Sequence, residues 1–250
     1  MEYLFIDVGN TTVDFRMYND ECNNFKEIMR PLTDDEYYKN CHNLDEYFIK
    51  NKLSFTKIIY SSVVPSWTKI IEEYSTFKNI ELLNIKNSFK HNLNNFKIDK
   101  FDILGADFIA NYYGATKYYN FNNAIVVSMG TATTIMVIKE NCLLGTVICP
   151  GLETALNGLI GKAALLKNYH YEKSSLMIGT NTIDAISIGI FNLHYIMIYN
   201  YTNFLMNEYK IKNVIITGGY SQNFVDEINH NGFIYDESLI FKGMLMMINK

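Results

Sequence analysis

The sequence predicts an α/β protein built from two similar halves with mixed sheets. Three observations carry that expectation. Short apolar runs with strand character alternate with helical stretches along the chain. Each half opens on a hairpin pattern: an apolar strand, a glycine turn, a hydroxyl-rich tip and a second strand. The two openings also match each other, since Ile6-Asp7-Val8-Gly9-Asn10-Thr11-Thr12 aligns without a gap on Val127-Ser128-Met129-Gly130-Thr131-Ala132-Thr133. Two like domains, residues 1–117 and 118–250, are therefore expected to face one cleft.

Taken in order, Tyr3 to Val8 is the first strand, Gly9-Asn10 the turn, and Thr12 to Met17 a β-branched and aromatic return strand. A polar helical stretch is expected over Asp34 to Lys50 and a strand at Lys57 to Tyr60. Ser61-Ser62-Val63-Val64-Pro65 leads into a helix from Ser66 to Tyr74, followed by a short strand at Glu81 to Asn84. Residues 86–100 are polar and give no assignable period. A helix starting near Gly105 carries Asp107, Ala110, Asn111 and Gly114 on its turns. The second half opens with the strand Ala124 to Val127, then Gly130 and the β-branched run Thr133 to Ile138. A third strand, Leu143 to Cys149, ends at Pro150-Gly151, where a helix begins. A long amphipathic helix over Thr182 to Asn207 and a last strand at Val214 to Ile216 complete the pattern.

With 250 residues, 48% of them hydrophobic, the chain can bury one large core or two of ordinary size. Its formal charge of −4, with arginine only at Arg16 and Arg30, offers no basic surface and excludes nucleic acid as a partner. Cys22, Cys41, Cys142 and Cys149 lack metal-ligand spacing, and the five histidines are scattered. Reduced thiols in a cytoplasmic protein are expected, with any metal arriving alongside a nucleotide. The opening residues show no basic leader, and the apolar runs are short and interrupted, so no membrane span is expected.

Asp7-Val8-Gly9-Asn10-Thr11 is the sharpest local motif. A glycine turn lets backbone N–H groups approach phosphate oxygens, and Asn10, Thr11 and Thr12 add neutral donors. Asp7, at the strand end, is placed to hold a hydrated Mg²⁺ against the phosphates. Alone, the motif is equally an ordinary hairpin. Gly130-Thr131-Ala132-Thr133-Thr134 supplies a second set of amides and hydroxyls, although threonines on a strand are also simple β-formers. Thr217-Gly218-Gly219 ends a strand, where paired glycines let a flat adenine lie against backbone or merely start a helix with a tight turn. Asp107, after Leu104-Gly105-Ala106, has the chemistry to take a proton from an attacking hydroxyl, yet an Asp there also serves as a helix cap.

Together, and in order, these motifs resemble the signature of type III pantothenate kinases. The likeness runs from Asp7-Val8-Gly9-Asn10-Thr11 through Ser61-Ser62-Val63-Val64-Pro65, Leu104-Gly105-Ala106-Asp107 and Gly130-Thr131-Ala132-Thr133. It continues through Pro150-Gly151-Leu152, Ile178-Gly179-Thr180-Asn181-Thr182, Thr217-Gly218-Gly219 and Asp236 to Gly243. The resemblance implies the fold of acetate and sugar kinases, Hsc70 and actin: two actin-like (ribonuclease H-like) halves with mixed five-stranded sheets flanked by helices and a cleft between them. It implies a homodimer that phosphorylates pantothenate with ATP and Mg²⁺, the first step towards coenzyme A. By the same resemblance the ATP phosphate loop falls on Asp7, Val8, Gly9, Asn10, Thr11 and Thr12. A second ATP contact falls on Thr131, beside Ala132 and Thr133, and the adenosine side on Gly218 and Gly219. The proton acceptor falls on Asp107, and the substrate loop on Gly105 and Ala106, with a further substrate contact at Thr182.

Three positions depart from the family pattern. Ser128 stands where the family has an aspartate that helps hold a monovalent cation such as K⁺ or NH₄⁺. Phe108 follows the catalytic Asp where the family has an arginine suited to the pantothenate carboxylate. Ile98 replaces a tyrosine ahead of the substrate loop. Three readings are therefore carried forward: an active pantothenate kinase, a catalytically silent nucleotide-binding relative with a regulatory role, and a kinase of the same fold acting on another small alcohol.

Overall fold

The computed structural model of the chain describes residues 2–161, 166 and 169–248. Its elements run β1 (Glu2–Val8), β2 (Val13–Asn19), β3 (Asn24–Met29), α1 (Cys41–Lys50), β4 (Lys57–Ser62), α2 (Pro65–Lys78), β5 (Glu81–Asn84) and α3 (Ala106–Tyr113). The second half follows with β6 (Ala124–Met129), β7 (Ala132–Lys139), β8 (Cys142–Pro150), α4 (Leu152–Ile160), α5 (Thr182–Ser187), α6 (Leu193–Tyr209), β9 (Asn213–Thr217), α7 (Val225–His230), β10 (Ile234–Tyr235) and α8 (Leu239–Ile248).

Among the described residues the strands form two five-stranded sheets, ordered β3-β2-β1-β4-β5 and β10-β9-β6-β7-β8. In the first, β1, β2 and β3 form an antiparallel meander, and β4 and β5 run parallel to β1. In the second, β6, β7 and β8 repeat the meander, while β9 and β10 repeat the parallel pair. The repeat seen in the two hairpins therefore extends to the whole sheet. It is not gapless, however. Gly9 N–H bonds Thr12 O at 3.0 Å, whereas Gly130 N–H bonds Ala132 O at 3.1 Å. The second loop is thus one residue shorter.

Strand alternation decides what each face of the first sheet does. Leu4, Ile6 and Val8 join Val13, Phe15 and Met17 of β2 in a core closed by Leu44, Phe48, Trp67 and Ile71 from α1 and α2. The intervening residues, Phe5, Asp7, Asp14 and Arg16, lie on the opposite face. There Arg16 sits 4.6 Å from the ring centre of Phe241 in α8. Helix α3 packs on β4 and against α8. A Cβ on Gly243 would overlap Ala110 O and lie 2.9 Å from Gly114 N, so only glycine allows this backbone approach.

That packing assigns the chain's end. One compact unit comprises Met1–Leu93, Asp99–Asn120 and Ser238–Lys250; the other comprises Asn94–Ile98 and Phe121–Glu237. The division expected at 117/118 thus misses two crossings: α8 returns to the first unit, and Asn94–Ile98 joins the second, where Lys97 N–H bonds Leu143 O at 2.8 Å. The helix expected from Asp34 begins only at Cys41, because Asn40 caps it by accepting His42 N–H at 2.8 Å. Strand β3, absent from the sequence reading, is a half-exposed edge strand whose alternation is broken by a register shift opposite Phe15 and Arg16.

In the second unit, Ile125, Val127 and Met129 of β6 pack with Tyr195, Ile198 and Leu205 of α6. Helices α5 and α6 join through a π-turn at Ile188–Asn192 into one helix, Thr182–Tyr209. By length and composition it is apolar enough to cross a membrane, against the expectation of short interrupted runs. One face is seated on the core, and the other exposes Leu193, Ile196, Met197, Tyr201 and Phe204 at helical spacing.

Candidate active site

Asp7 stands at the end of β1, directly opposite Asp14 on β2 and beside Ser61 on β4. The hairpin that follows is braced by a neighbouring segment: Val13 N–H bonds Pro31 O and Thr33 N–H bonds Thr11 O, each at 2.9 Å, and Thr33 Oγ1 donates to Gly9 O at 2.7 Å. Val8 is buried, whereas Gly9, Thr11 and Thr12 are partly open and Asn10 is exposed. Asp7 keeps part of its surface open, yet its pKa is pushed up to about 7. Burial is the main cause, followed by the negative charges of Asp107 and Asp14; the Ser61 hydroxyl and Arg30 act in the opposite direction. Ser61 Oγ is buried and forms no hydrogen bond of good geometry.

Asp107 occupies the first turn of α3, whose N-cap, Gly105, supplies no capping side chain. A Cβ at Gly105 would overlap Asp107 Oδ1, so the glycine makes room for the carboxyl to fold back over it. Oδ1 is buried with no hydrogen-bond partner. Burial raises the pKa of Asp107, opposed by the backbone N–H groups of Phe108 and of Asp107 itself. Ala106 is buried and Phe108 partly open. One turn on, Asn111 is 6% exposed and its Oδ1 is also unpartnered, so an orphan polar atom recurs on the same face of the helix.

The second unit assembles its own cluster. Ser128 on β6 lies opposite Thr134 and beside Thr217, at the place Asp7 holds between Asp14 and Ser61. Thr131 is exposed at the hairpin tip, and its carbonyl accepts bonds from Gly151 N–H at 3.0 Å and Thr154 Oγ1 at 2.6 Å. Ala132 is partly open. Thr133 differs: it is 1% exposed, and its hydroxyl is engaged with His194 Nε2 at 2.9 Å. Gly218 adopts φ +93°, and a Cβ there would lie 2.5 Å from Met129 N, so its glycine is required by packing against the end of β6. Gly219 opens the 3₁₀ turn Gly219–Phe224. Thr182 is exposed at the start of α5, and Ile98 belongs to the segment that joins this unit.

Within the first unit the structure therefore brings Asp7, its hairpin and Asp107 together, although 100 residues of chain separate the two carboxylates. Within the second it brings Gly151 against Gly130 and Thr131, and Gly218 against Met129. Three nearby residues escaped the sequence reading as site residues: Asp14, Arg30 and Asn111. The visible signal was that a chain with two arginines places Asp14 and Arg16 two residues apart on one strand face. Among the described residues no group of three or more His, Cys, Asp or Glu side chains is arranged to hold a metal. A hydrated Mg²⁺ brought by a nucleotide fits Asp7 nonetheless, because this partly open oxygen donor ends β1 opposite Asp14 and beside the Ser61 hydroxyl, with Asp107 in electrostatic reach. Ser128 offers a cation a hydroxyl without charge.

A hairpin-led mixed sheet occurring twice in one chain defines an actin- and Hsc70-like two-lobed fold, the class of acetate and sugar kinases. The profile of the Type III pantothenate kinase family matches residues 3–203. The Type III pantothenate kinase of Ehrlichia ruminantium (strain Gardel) is 34% identical over 260 residues, covering 98% of each chain. That of Sulfurihydrogenibium sp. (strain YO3AOP1) is 31% identical over 256 residues, again covering 98% of each. This chain belongs to the type III pantothenate kinase family. In fold it is similar to a conserved putative Baf family transcriptional activator from Campylobacter jejuni (TM-score 0.59, 24% identity, 98% and 96% of the chains covered). It is also similar to a ROK family glucokinase from Streptomyces griseus (TM-score 0.53, 9% identity, 98% of each covered).

Proposed function

We propose that the protein phosphorylates pantothenate with ATP to give 4'-phosphopantothenate, the first step of coenzyme A biosynthesis. Beyond family membership, one observation supports this most: Asp107 Oδ1 is buried, unpartnered and within electrostatic reach of Asp7 at the foot of the hairpin. An acceptor atom without a donor suits a site whose donor arrives with the substrate. The raised pKa of Asp107 makes it a better proton acceptor than an ordinary aspartate.

In this reading Asp107 takes the proton of the primary hydroxyl as its oxygen bonds to the γ-phosphorus and the bond from phosphorus to the β,γ-bridging oxygen breaks. Gly105 and Ala106 shape the acceptor loop, with Gly105 leaving Asp107 room to face the hydroxyl. Val8, Gly9, Asn10, Thr11 and Thr12 present the first hairpin to phosphate, and Thr131, Ala132 and Thr133 form the second. Thr133, bonded to His194, braces the strand beneath that hairpin. Gly218 and Gly219 carry the adenosine side, and Thr182 a further substrate contact. Mg²⁺, when bound with ATP at Asp7, neutralises charge on the phosphates. Purified protein with Mg·ATP and pantothenate should yield phosphopantothenate by mass spectrometry; no product at any protein concentration would sink the reading.

Phe108 keeps a second acceptor in view. An apolar ring leaves the pantothenate carboxylate without the bidentate partner that the family's arginine supplies. Amide analogues should therefore be used at least as well as the free acid. Phe108→Arg should shift the acid-to-amide ratio of kcat/KM by roughly 10-fold or more towards the acid, the scale of a charged hydrogen bond. A strong preference for the acid in the unaltered protein would contradict this. At the second hairpin, K⁺ or NH₄⁺ should activate weakly or not at all, since Ser128 brings no charge, and Ser128→Asp should restore the dependence. A steep K⁺ requirement without that change would place the cation on other ligands.

The exposed stripe Leu193, Ile196, Met197, Tyr201 and Phe204 supports a homodimer, because a stripe of this kind on a helix whose other face is core calls for a partner. We place the enzyme in the cytoplasm, where its substrates and four free thiols belong.

A further inference from the structure

We infer that Arg30 is a catalytic residue of the phosphoryl transfer, its guanidinium contacting the β- and γ-phosphates of the bound nucleotide; this rests on the kinase reading above. The chain contains two arginines, and they are used differently. Arg16 is buried, holds Asp14 through Nε and Nη2 at 3.0–3.2 Å, and donates through Nη1 to Ser238 Oγ at 2.8 Å. It is a structural cation. Arg30 follows β3 and keeps 39% of its side chain exposed. Its Nε donates to Thr12 Oγ1, a neutral acceptor on the phosphate hairpin, at 3.3 Å. The nearest carboxylate oxygen paired with it, Asp14 Oδ2, is 3.9 Å from Nη1 and already bonded to Arg16 Nη2 at 3.0 Å.

The backbone holds Arg30 in that place. Residues 31–33 run antiparallel alongside the hairpin through the bridge Thr12↔Leu32 and the bonds from Val13 N–H to Pro31 O and Thr33 N–H to Thr11 O. Trp67 Nε1 in turn donates to Thr33 O at 2.8 Å, tying the segment to α2. A guanidinium is thus fixed at the edge of the hairpin tip, against a hydroxyl it can leave without breaking a close ion pair. Its planar fork matches two phosphate oxygens, and charge that develops on the transferring group is met by a cation already in position. The need is local: Asp7, Asp14 and Asp107 surround the hairpin base with negative charge that a polyphosphate must otherwise overcome.

The test uses the full chain with Arg30→Ala, Arg30→Lys and Arg30→Gln. Steady-state kcat and KM are measured for ATP, and Kd for AMPPNP and for AMP by calorimetry, with thermal melting as the control for folding. Arg30→Ala should lower kcat/KM for ATP by about 100-fold or more and weaken AMPPNP by about 10-fold, with AMP binding unchanged and lysine recovering some of the loss. Turnover and AMPPNP affinity within about twofold of the unaltered chain overturn the inference. So does an equal weakening of AMPPNP and AMP, which marks a structural role. Should the alanine variant fail to fold, Arg30→Gln, which can still donate to Thr12, decides by the same comparison. If the unaltered chain makes no phosphopantothenate, the kinase reading falls on that result alone, and AMPPNP against AMP still decides whether Arg30 meets the β- and γ-phosphates.

Discussion

Asp107→Asn should reduce turnover by roughly 100-fold or more while leaving nucleotide affinity and folding intact, the scale on which a positioned general base acts. The substitution keeps shape and removes basicity. The structure adds a stability arm, because burial raises the folded pKa of Asp107 above its ordinary value. A carboxylate shifted in that direction lowers stability where it is ionised, and the deficit disappears as pH falls below the unfolded pKa. The asparagine variant should therefore melt no lower than the unaltered protein at neutral pH. If Asp107 were only a cap for α3, the same change would lower the melting temperature and spare turnover. The raised pKa also fixes the direction of the rate profile. Activity should fall on acidification at a pH above the ordinary aspartate range, since the base must be ionised to act. Near-normal turnover in the variant would remove Asp107 from the chemistry.

Asp7→Asn should stabilise the free protein in a pH-dependent way. Its pKa rises from 3.8 to about 7 on folding. Below 3.8 the carboxyl is neutral in both states and the substitution changes little. Between 3.8 and about 7 the unfolded chain ionises first, so stability declines as pH rises, and above that range the whole deficit is present. A shift of this size corresponds to about 4 kcal/mol, and to roughly 2–4 kcal/mol once the open side of Asp7 is allowed for. The variant should melt roughly 5–15 °C higher at pH 8 and nearly the same at pH 3.5. Mg·ATP should narrow or reverse that gap, because the charge that destabilises the empty site is the one that receives the cation. A gain of equal size at every pH would show that packing, and not charge, is responsible.

Much of this protein was legible in its residues. The hairpin around Gly9, its counterpart around Gly130 and the parallel strands at Lys57 and Val214 are local signals, since apolar runs and turn chemistry act over a few residues. Their repetition was enough to expect two like sheets, and the ordered motifs named the family. Edge strand β3 escapes a period-two pattern because a register shift puts both Ile28 and Met29 partly inside and leaves Lys26 and Glu27 both exposed. The gapless alignment of the hairpins failed because one residue in a loop leaves the flanking strands unchanged.

The residues alone announce most of the strands and helices, the repeat of the hairpins and the residue types offered to phosphate and hydroxyl. Which of them meet is set by packing. Asp7 and Asp107 come together because α3 lies on the face of the first sheet that strand alternation gives to Asp7. That helix is held by α8, whose Gly243 approaches Ala110 and Gly114 backbone to backbone, a requirement no local pattern announces. Helix α8 thereby supports the first motif from the far end of the sequence, and Arg16 and Arg30 divide into a buried brace and a half-open cation. Periodicity and turn chemistry are properties of neighbours in the chain, whereas burial and charge coupling depend on distances that only packing sets.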